Sequence, residues 1–254
     1  MLSKSIIKYI RSLELKKFRQ RENAFVAEGP KVVGELLGIF TPKLIVATPE
    51  WLCQHGHAVH ADVYEVTDEE LRKASFLQHP QIVLAVFALP EAHRQLPATV
   101  GEQLFLALDN VQDPGNLGTI IRIADWFGIR HIVCNVATAD AYSPKVVQAT
   151  MGSLARVSLY YTPLVAWLDA LPAGTPVYGT LLDGSNIYEK ELTAHGVIVM
   201  GNEGNGISDE VRQRLSCRIL IPNYPEGSTS AESLNVAIAT AVTCAEFRRQ
   251  TSGR

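Results

Sequence analysis

The second half of the chain alternates short apolar runs with stretches of helical spacing. Six of these runs have the length of a buried strand, at residues 104–108, 131–134, 156–161, 177–182, 197–200 and 218–221. Strands that alternate with helices form βαβ units, so this pattern predicts a largely parallel sheet covered on both faces. Ligands bind beyond the carboxyl ends of the strands in such sheets. Functional residues are therefore expected in the loops that follow these strands.

The first half of the chain has a shorter pattern of the same mixed kind. Helices are predicted at residues 3–11 and 30–38, and strands at residues 24–27, 43–47, 62–66 and 82–88. A further helix begins after Thr67, which has Glu70 three residues later in the spacing of a capping box. These elements predict a small α/β domain.

The two patterns are separated by residues 89–103, which carry two prolines among polar residues. Such composition is typical of a linker. A chain of 254 residues has room for two domains that each bury a core. We therefore predict a first α/β domain over residues 1–90, a linker over residues 91–103 and a parallel-sheet domain over residues 104–254.

The composition excludes several classes of protein. Hydrophobic residues make up 47% of the chain and charged residues 19%, which is ordinary for a globular protein. The longest uninterrupted apolar run, residues 82–89, is too short for a membrane span, and the N-terminus lacks the apolar block of a signal peptide. We expect a cytosolic protein. The cysteines are far apart, without a C-x-x-C pair, and are expected to be small buried residues: Cys53, Cys134, Cys217 and Cys244.

Charge is distributed unevenly along the chain. Residues 1–31 contain eight Lys or Arg and three Asp or Glu, whereas the whole chain has a net charge of −3. A basic N-terminal region on an acidic protein favours contact with a polyanion. A solvated helix face would explain a segment this short equally well.

The first unusual loop covers residues 109–118 and follows a strand of five apolar residues. A helix is predicted after it, at residues 119–127, with Arg122 in its first turn. From there Arg122 could lean back towards Asn116 and hold a phosphate or a developing oxyanion. The alternative is that Asn116 caps the helix and that Arg122 is an ordinary surface residue.

The second loop, GNEGNG at residues 201–206, allows close backbone approach to a ligand. Its G-x-x-G-x-G spacing differs from the G-x-G-x-x-G of dinucleotide-binding folds, and no acidic residue follows about 20 positions later. These two differences argue against a nucleotide-dependent oxidoreductase. The glycines fit a ligand loop or a tight turn, and Glu203 places a carboxylate among them.

The third loop, residues 221–235, is rich in hydroxyl groups and precedes a long helix that ends near residue 249. Ser233 and Asn235 lie at the helix start, where each could be a cap or part of a polar site. A stripe of mainly small residues on this helix is predicted to be buried in the core or in a subunit interface. Its members are Leu234, Ile238, Ala241 and Ala245.

In this order, the three loops resemble the signature motifs of the SpoU/TrmH family of RNA ribose 2′-O-methyltransferases, within the SPOUT superfamily. The resemblance covers residues 108–249. Its segments are LDNVQDPGNLGTIIRIADWFGI, VIVMGNEGNGIS and IPNYPEGSTSAESLNVAIATAVTCAEFRR. Residues 11–37 are also similar to the opening of the substrate-binding domain that often precedes this catalytic domain.

The resemblance implies an α/β fold in which the parallel-sheet domain contains a deep trefoil knot. It also implies S-adenosylmethionine as methyl donor, a homodimer, and structured RNA as substrate, with ribosomal RNA ahead of transfer RNA. No metal is expected, because the three motifs lack a cluster of metal ligands. A non-catalytic RNA-binding or ribosome-assembly factor on the same fold is the alternative, although all the motif residues are present.

The resemblance also assigns residues to roles. The catalytic residues are Asn116, Arg122, Glu203, Ser233 and Asn235. The cofactor-binding residues are Thr180, Leu181, Gly201, Asn202, Gly206, Ile221 and Leu234. RNA contacts are expected from Lys8, Arg11, Lys16, Lys17, Arg19 and Arg21. Because a guanidinium stays charged, we expect Arg122 to stabilise negative charge rather than accept a proton. The loop at residues 223–232 is longer than the compact version common in the family.

Overall fold

The computed structural model describes residues 2–55, 61–90, 96–225 and 233–251, and the chain divides into two compact units. The first unit consists of Met1–Arg94 and Asp140–Ala155, and the second consists of Gln95–Ala139 and Arg156–Arg254. The first unit thus includes a segment that the sequence pattern attributes to the second domain. The second unit is therefore interrupted at residues 140–155, whereas the sequence pattern predicts one continuous domain over residues 104–254.

The sheet of the first unit has four strands. They are β1 (Ala24–Glu28), β2 (Pro42–Ala47), β3 (Asp62–Glu65) and β4 (Val83–Ala88). The strand order is β1-β4-β2-β3, with β4 antiparallel to both of its neighbours and β3 parallel to β2. β1 is buried along its whole length, and the carboxylate of Glu28 at its end accepts hydrogen bonds from the Ser75 hydroxyl and the Phe76 amide.

Five helices accompany this sheet. They are α1 (Lys4–Ser12), α2 (Lys16–Glu22), α3 (Pro30–Leu37), α4 (Pro49–His55) and α5 (Asp68–Ala74). The predicted capping box at the start of α5 is present, since the side chain of Thr67 accepts from the amide of Glu70 and the Glu70 carboxylate accepts in return. The sequence pattern did not predict α2 or α4. Each is short and buries a single large side chain, Arg19 in α2 and Trp51 in α4.

Arg19 is buried, which corrects its assignment as an RNA contact. Its Nη1 donates to the carbonyl oxygens of Leu13 at 2.8 Å and Glu14 at 2.6 Å, and its Nη2 pairs with Asp140 at 2.5 Å. Only 3% of the residue is exposed, so the guanidinium cannot reach a phosphate in solution. Arg19 instead joins the end of α1 to Asp140 and fixes α2 between them.

Replacement of Arg19 by Met is expected to lower the free energy of unfolding by about 3 kcal/mol, because Asp140 loses its buried partner. Urea unfolding measures this difference. Gln20→Met, on the exposed side of the same helix, is the control and should change stability by less than about 0.5 kcal/mol. Equal unfolding midpoints for Arg19→Met and the wild type would contradict the structural role.

The sheet of the second unit has six strands. They are β5 (Leu104–Leu108), β6 (His131–Cys134), β7 (Ser158–Tyr161), β8 (Val177–Asn186), β9 (Gly196–Met200) and β10 (Cys217–Leu220). The order is β10-β8-β9-β5-β6-β7, and every neighbouring pair is parallel. The predicted α/β class and parallel sheet are confirmed. The central strands β5 and β9 are completely buried, in keeping with their apolar sequences.

Five helices follow in the second half of the chain. They are α6 (Pro114–Trp126), α7 (Pro144–Ala149), α8 (Leu164–Asp169), α9 (Asp209–Arg212) and α10 (Val236–Thr251). α7 belongs to the first unit. α6 and α10 pack together and run parallel, because Asn235 contacts Asn116 at their first turns and Arg248 Nε donates to the Phe127 carbonyl at their far ends, at 2.7 Å. Both helices therefore start at the same end of the unit.

The sequence pattern predicts that α6 starts near residue 119, but the helix starts at Pro114. The side chain of Asp113 accepts from the amide of Asn116 at 2.8 Å and caps the helix, and Pro114 occupies the first helical position. Asn116 is thus not the cap. Arg122 lies more than two turns into α6 instead of in its first turn.

The small-residue stripe of α10 is not buried within the protomer, so its assignment to the core is wrong. Leu234 is 52% exposed and Ile238 is 53% exposed, while Ala245 is exposed and Ala241 half-buried. The buried residues of α10 lie on other sides of the helix, and they include Val236, Thr240, Thr243 and Phe247.

The cysteines form no disulfide. Cys134 and Cys244 are buried as predicted, and burial raises the pKa of both thiols, that of Cys244 to about 12. Cys53 is exposed and Cys217 is half-buried, so the prediction of burial is wrong for these two.

Candidate active site

The entry to α6, at the carboxyl end of β5, meets the glycine loop through Glu203. Oε1 of Glu203 accepts from the amide of Asp113 at 3.1 Å and from Nδ2 of Asn116 at 3.0 Å. Oε2 accepts from the amide of Gln112 at 3.2 Å. Amide groups ahead of a helix favour a carboxylate at this position. Glu203 thereby joins the first predicted loop to the second.

Partial burial raises the pKa of Glu203, but the hydrogen bonds from Asn116, Gln112 and Asp113 outweigh it and hold the pKa below its usual value. The carboxylate is therefore ionised at neutral pH and is a weak base. Glu203 is suited to orienting the groups around it rather than to accepting a proton from a hydroxyl group.

Glu203→Gln should be less stable than the wild type at pH 7, because the amide nitrogen of Gln faces N–H donors. A carboxylate with a lowered folded-state pKa stabilises the fold above its unfolded pKa, and this stabilisation is lost as the pH falls through the folded value. The difference in melting temperature between the two proteins should therefore shrink below about pH 4.3. Thermal unfolding at stepped pH measures it, and a difference that stays constant to pH 3 would refute the lowered pKa.

Asn235 connects the third predicted loop to the same group. Its Nδ2 donates to Oδ1 of Asn116 at 2.9 Å, and its own Oδ1 accepts from the amides of Ala237 at 2.9 Å and Ile238 at 3.3 Å. Asn235 thus caps α10 and also contacts Asn116. We call Glu203, Asn116 and Asn235 the amide network.

The donor and acceptor roles within the amide network are fixed. An ionised Glu203 only accepts, so Nδ2 of Asn116 faces it and Oδ1 of Asn116 is left to accept from Asn235. Each amide nitrogen makes one hydrogen bond to a described residue, so that among the described residues one N–H of Asn116 and one of Asn235 have no acceptor. These two donors lie at the carboxyl edge of the sheet, where a ligand of this fold is expected.

Two predicted catalytic residues make no hydrogen bond to the amide network in the protomer. Arg122 follows Asn116 by six residues, which turns its side chain about 120° around α6. It is exposed on the same side of the helix as Trp126 and has no hydrogen bond or ion pair to any residue the structure describes. Ser233 is also exposed and, within the described ranges, likewise has no hydrogen-bond partner.

The glycine loop is tightly closed. A Cβ on Gly201 would lie 2.3 Å from the carbonyl carbon of Gly206, and Gly206 has a φ of +67°, which favours glycine. Asn202 uses its side chain inside this loop, since Oδ1 accepts from the amides of Gly204 and Asn205. The backbone of Asn202 is also paired within the loop, since its N–H donates to the Gly206 carbonyl at 2.8 Å and its carbonyl accepts from the Gly206 amide at 3.0 Å.

The predicted cofactor residues lie on or after three adjacent strands, β10, β8 and β9. Thr180 and Leu181 lie within β8, Gly201 follows β9 and Ile221 follows β10. Gly179 pairs with Val199 on one side and Arg218 on the other, which places Thr180 beside the carboxyl end of β9. The Thr180 hydroxyl donates to the Val199 carbonyl at 3.3 Å. The half-buried Leu181 and the exposed Leu234 add apolar surface. Backbone groups beside apolar side chains suit the adenosine part of S-adenosylmethionine. Part of the long third loop, residues 226–232, lies outside the described residues.

The sequence model of the SpoU rRNA Methylase family matches residues 103–245, more than half of the chain. This chain belongs to the SpoU family. The match confirms the resemblance predicted from the three loops. The MRM3-like substrate binding domain, in addition, matches residues 4–85.

Relatives of this SpoU-family chain cover nearly its full length. The 23S rRNA (guanosine(2553)-2'-O)-methyltransferase RlmP of Bacillus subtilis is 32% identical over 241 residues, which is 93% of each chain. A Porphyromonas gingivalis structure, assigned to the TrmH family of RNA methyltransferases, is 45% identical with a TM-score of 0.88, over 98% of this chain and 99% of that one. An AdoMet-bound rRNA methyltransferase from Sinorhizobium meliloti is 32% identical with a TM-score of 0.83, over 98% and 96%.

Most of the predicted RNA contacts in the first unit of this SpoU-family protein are exposed, namely Lys8, Arg11, Lys16, Lys17 and Arg21. Arg11 is partly fixed, since Nη1 donates to the Ser75 carbonyl at 2.5 Å and the guanidinium lies 4.8 Å from the ring centre of Phe76. Lys4, which the sequence analysis did not include, shares the exposed face of α1 with Lys8 and Arg11. Its spacing of four and then three residues could have identified it.

Within residues 2–55, 61–90, 96–225 and 233–251, no group of three or more His, Cys, Asp or Glu is arranged to hold a metal ion. Among the same residues, no helix is long and apolar enough to cross a membrane.

Proposed function

We propose that this chain transfers the methyl group of S-adenosylmethionine to a ribose 2′-hydroxyl in structured RNA, with ribosomal RNA preferred over transfer RNA. The amide network carries this proposal, because it joins residues of all three motifs at the edge of the sheet where the cofactor residues lie. The names of the relatives support the substrate, and the AdoMet-bound relative supports the methyl donor. The proposed compartment is the cytoplasm.

S-Adenosylmethionine, when bound, supplies an electrophilic methyl carbon. The reaction forms a bond from the sugar oxygen to this carbon, breaks the carbon–sulfur bond and releases the hydroxyl proton to solvent. The cofactor would be held by Thr180 and Leu181 in β8, Gly201 after β9, Ile221 after β10, and Leu234. The second N–H groups of the Asn116 and Asn235 side chains, with the Ser233 hydroxyl, would orient the ribose. Positioning of this kind supplies much of the acceleration in a two-reactant displacement.

A homodimer would bring Arg122 to a site. Trp126 is 85% exposed on the same side of α6 as Arg122, and Ile238 is exposed on the neighbouring α10. Apolar side chains exposed on two packed helices are typical of an interface. We propose that a second copy covers this face, and that Arg122 enters the partner's site to bind the phosphate beside the target ribose and to stabilise charge on the oxygen.

The trefoil knot of the family is part of the proposal. It is supported by the strand order, in which β9 lies between β8 and β5 while β10 lies on the other side of β8. It is also supported by the return of the chain from β10 to pack α10 against α6.

Lys17→Gln combined with Arg21→Gln is expected to weaken RNA binding and to reduce the slope of log affinity against log salt by about 1.5. Both side chains lie on one exposed face of α2, beside Phe18. Titration of RNA at several salt concentrations measures the slope. Lys31→Gln, exposed on α3, is the control and should leave the slope unchanged. If the double variant has the same slope as the wild type, α2 is not part of the RNA interface.

The direct test of the function is incubation of the pure protein with labelled S-adenosylmethionine and RNA from a strain that lacks the gene. Ribosomal and transfer RNA are separated, digested and searched for 2′-O-methylnucleosides. We expect label in ribosomal RNA as a single 2′-O-methylnucleoside. Tight RNA binding without any methyl incorporation would favour the non-catalytic assembly factor instead.

A further inference from the structure

Two side chains beside the amide network hold the glycine loop at both of its ends. Oδ2 of Asp109 accepts from the amide of Ser208 at 2.7 Å, after Glu203 in the chain. Nδ2 of Asn202 donates to the carbonyl of Asn110 at 2.7 Å, before Glu203. Two consecutive residues at the end of β5 therefore bind the loop on either side of Glu203.

Asp109 is held rigidly in this arrangement. It is 1% exposed, and its second oxygen, Oδ1, accepts from Nδ2 of Asn110 and Nδ2 of Asn135, both at 3.2 Å. Asn135 directly follows β6. A buried carboxylate is tolerated only while its oxygens are hydrogen-bonded, so any movement of the loop away from Asp109 is costly.

Asn202 shapes the tip of the loop as well as holding its start. Its Oδ1 accepts from the amides of Gly204 at 2.9 Å and Asn205 at 3.0 Å, the two residues that follow Glu203. Glu203 is therefore enclosed in a turn that the side chain of Asn202 closes. The carboxylate of Glu203 is in turn placed against Gln112 and Asp113.

We propose that Asp109 and Asn202 are positioning residues that act together as a clasp on the glycine loop, and that the clasp aligns Glu203, and through it Asn116, for methyl transfer. Neither side chain touches the reacting atoms. The clasp rests on the proposed function for its role in catalysis, but its effect on the loop can be measured separately.

A double-mutant cycle tests the catalytic part. Asp109→Asn keeps the shape of the side chain but turns an N–H group towards donors, and it is expected to lower kcat about 10²-fold with the KM for RNA unchanged. If Asp109 acts through Glu203, Asp109→Asn with Glu203→Gln should be no slower than the slower single variant. The proposal would be overturned if the fold-reduction in kcat of the double variant equalled the product of the reductions in the two single variants. A kcat for Asp109→Asn within twofold of the wild type would also overturn it.

Amide hydrogen exchange tests the clasp without any activity. The amides of Gln112 and Asp113 should exchange at least about tenfold faster in Asp109→Asn and in Asn202→Ala than in the wild type. Asp169→Asn, which removes a carboxylate that pairs with Arg214 elsewhere in the unit, is the control and should leave these amides unchanged. Unchanged exchange in both clasp variants would overturn the clasp, whereas a wild type that transfers no methyl group would overturn the proposed function alone.

Discussion

Replacement of Asn116 by Ala is expected to lower kcat for methyl transfer by about 10²-fold or more. The change removes the N–H that is available to the ribose and leaves Nδ2 of Asn235 without its acceptor. Glu203 keeps its two backbone donors, so the glycine loop should remain in place. The KM for RNA should change little, because the proposed RNA contacts lie in the first unit. Steady-state kinetics with RNA and S-adenosylmethionine varied in turn separates the two parameters.

The matched control for this variant is Gln213→Ala, which removes an exposed amide from the same unit. Its kcat should equal that of the wild type. The melting temperatures of both variants establish that each protein is folded under assay conditions. A folded Asn116→Ala protein with an unchanged rate would refute the role assigned to Asn116.

Arg122→Ala is also expected to lower kcat by about 10²-fold. Arg122→Lys should recover only part of this rate. A lysine restores the charge but not the planar pair of donors that binds phosphate bidentately. Near-normal turnover in Arg122→Lys would show that the guanidinium geometry is irrelevant.

Mixed dimers distinguish an Arg122 that acts in its own protomer from one that acts in the partner. Arg122→Ala and Asn116→Ala chains carrying different affinity tags are co-expressed, and the doubly tagged dimer is purified. If Arg122 serves the partner's site, one site in this dimer carries both changes and the other carries neither, so activity returns. If activity stays at the level of the two parent variants, Arg122 acts in its own protomer and the proposed dimer arrangement is wrong.

The strands of the second unit could be predicted from the sequence because parallel strands buried on both faces are continuous apolar runs. β5 and β9 are examples, since both are fully buried. The start of α6 could not be placed in this way. Pro114, Gly115 and Asn116 have low helix propensity and are typical of a loop, yet the cap formed by Asp113 and the fixed φ of proline start the helix there.

The sequence-based site predictions fail where a residue's role depends on contact with a residue that is distant in sequence. Arg19 belongs to a basic stretch that looks solvated, and only its pairing with Asp140, 121 residues later, buries it. The sequence pattern assigns no role to Asp109 in the first loop, because its partner Ser208 lies 99 residues away. A carboxylate directly after an apolar strand is a signal that could have singled out Asp109. Neither partner could be read from local spacing.

The most direct measurement of the central claim is a crystal structure of the protein with a non-reactive analogue of S-adenosylmethionine and a short RNA that contains the target nucleotide. We expect the ribose 2′-oxygen to lie within hydrogen-bond distance of Nδ2 of Asn116 and about 3–3.5 Å from the atom that replaces the methyl carbon. Arg122 of the second copy should contact the adjacent phosphate. An RNA that presents a base atom instead of the sugar oxygen, or an analogue bound away from Thr180, Gly201 and Ile221, would contradict the account.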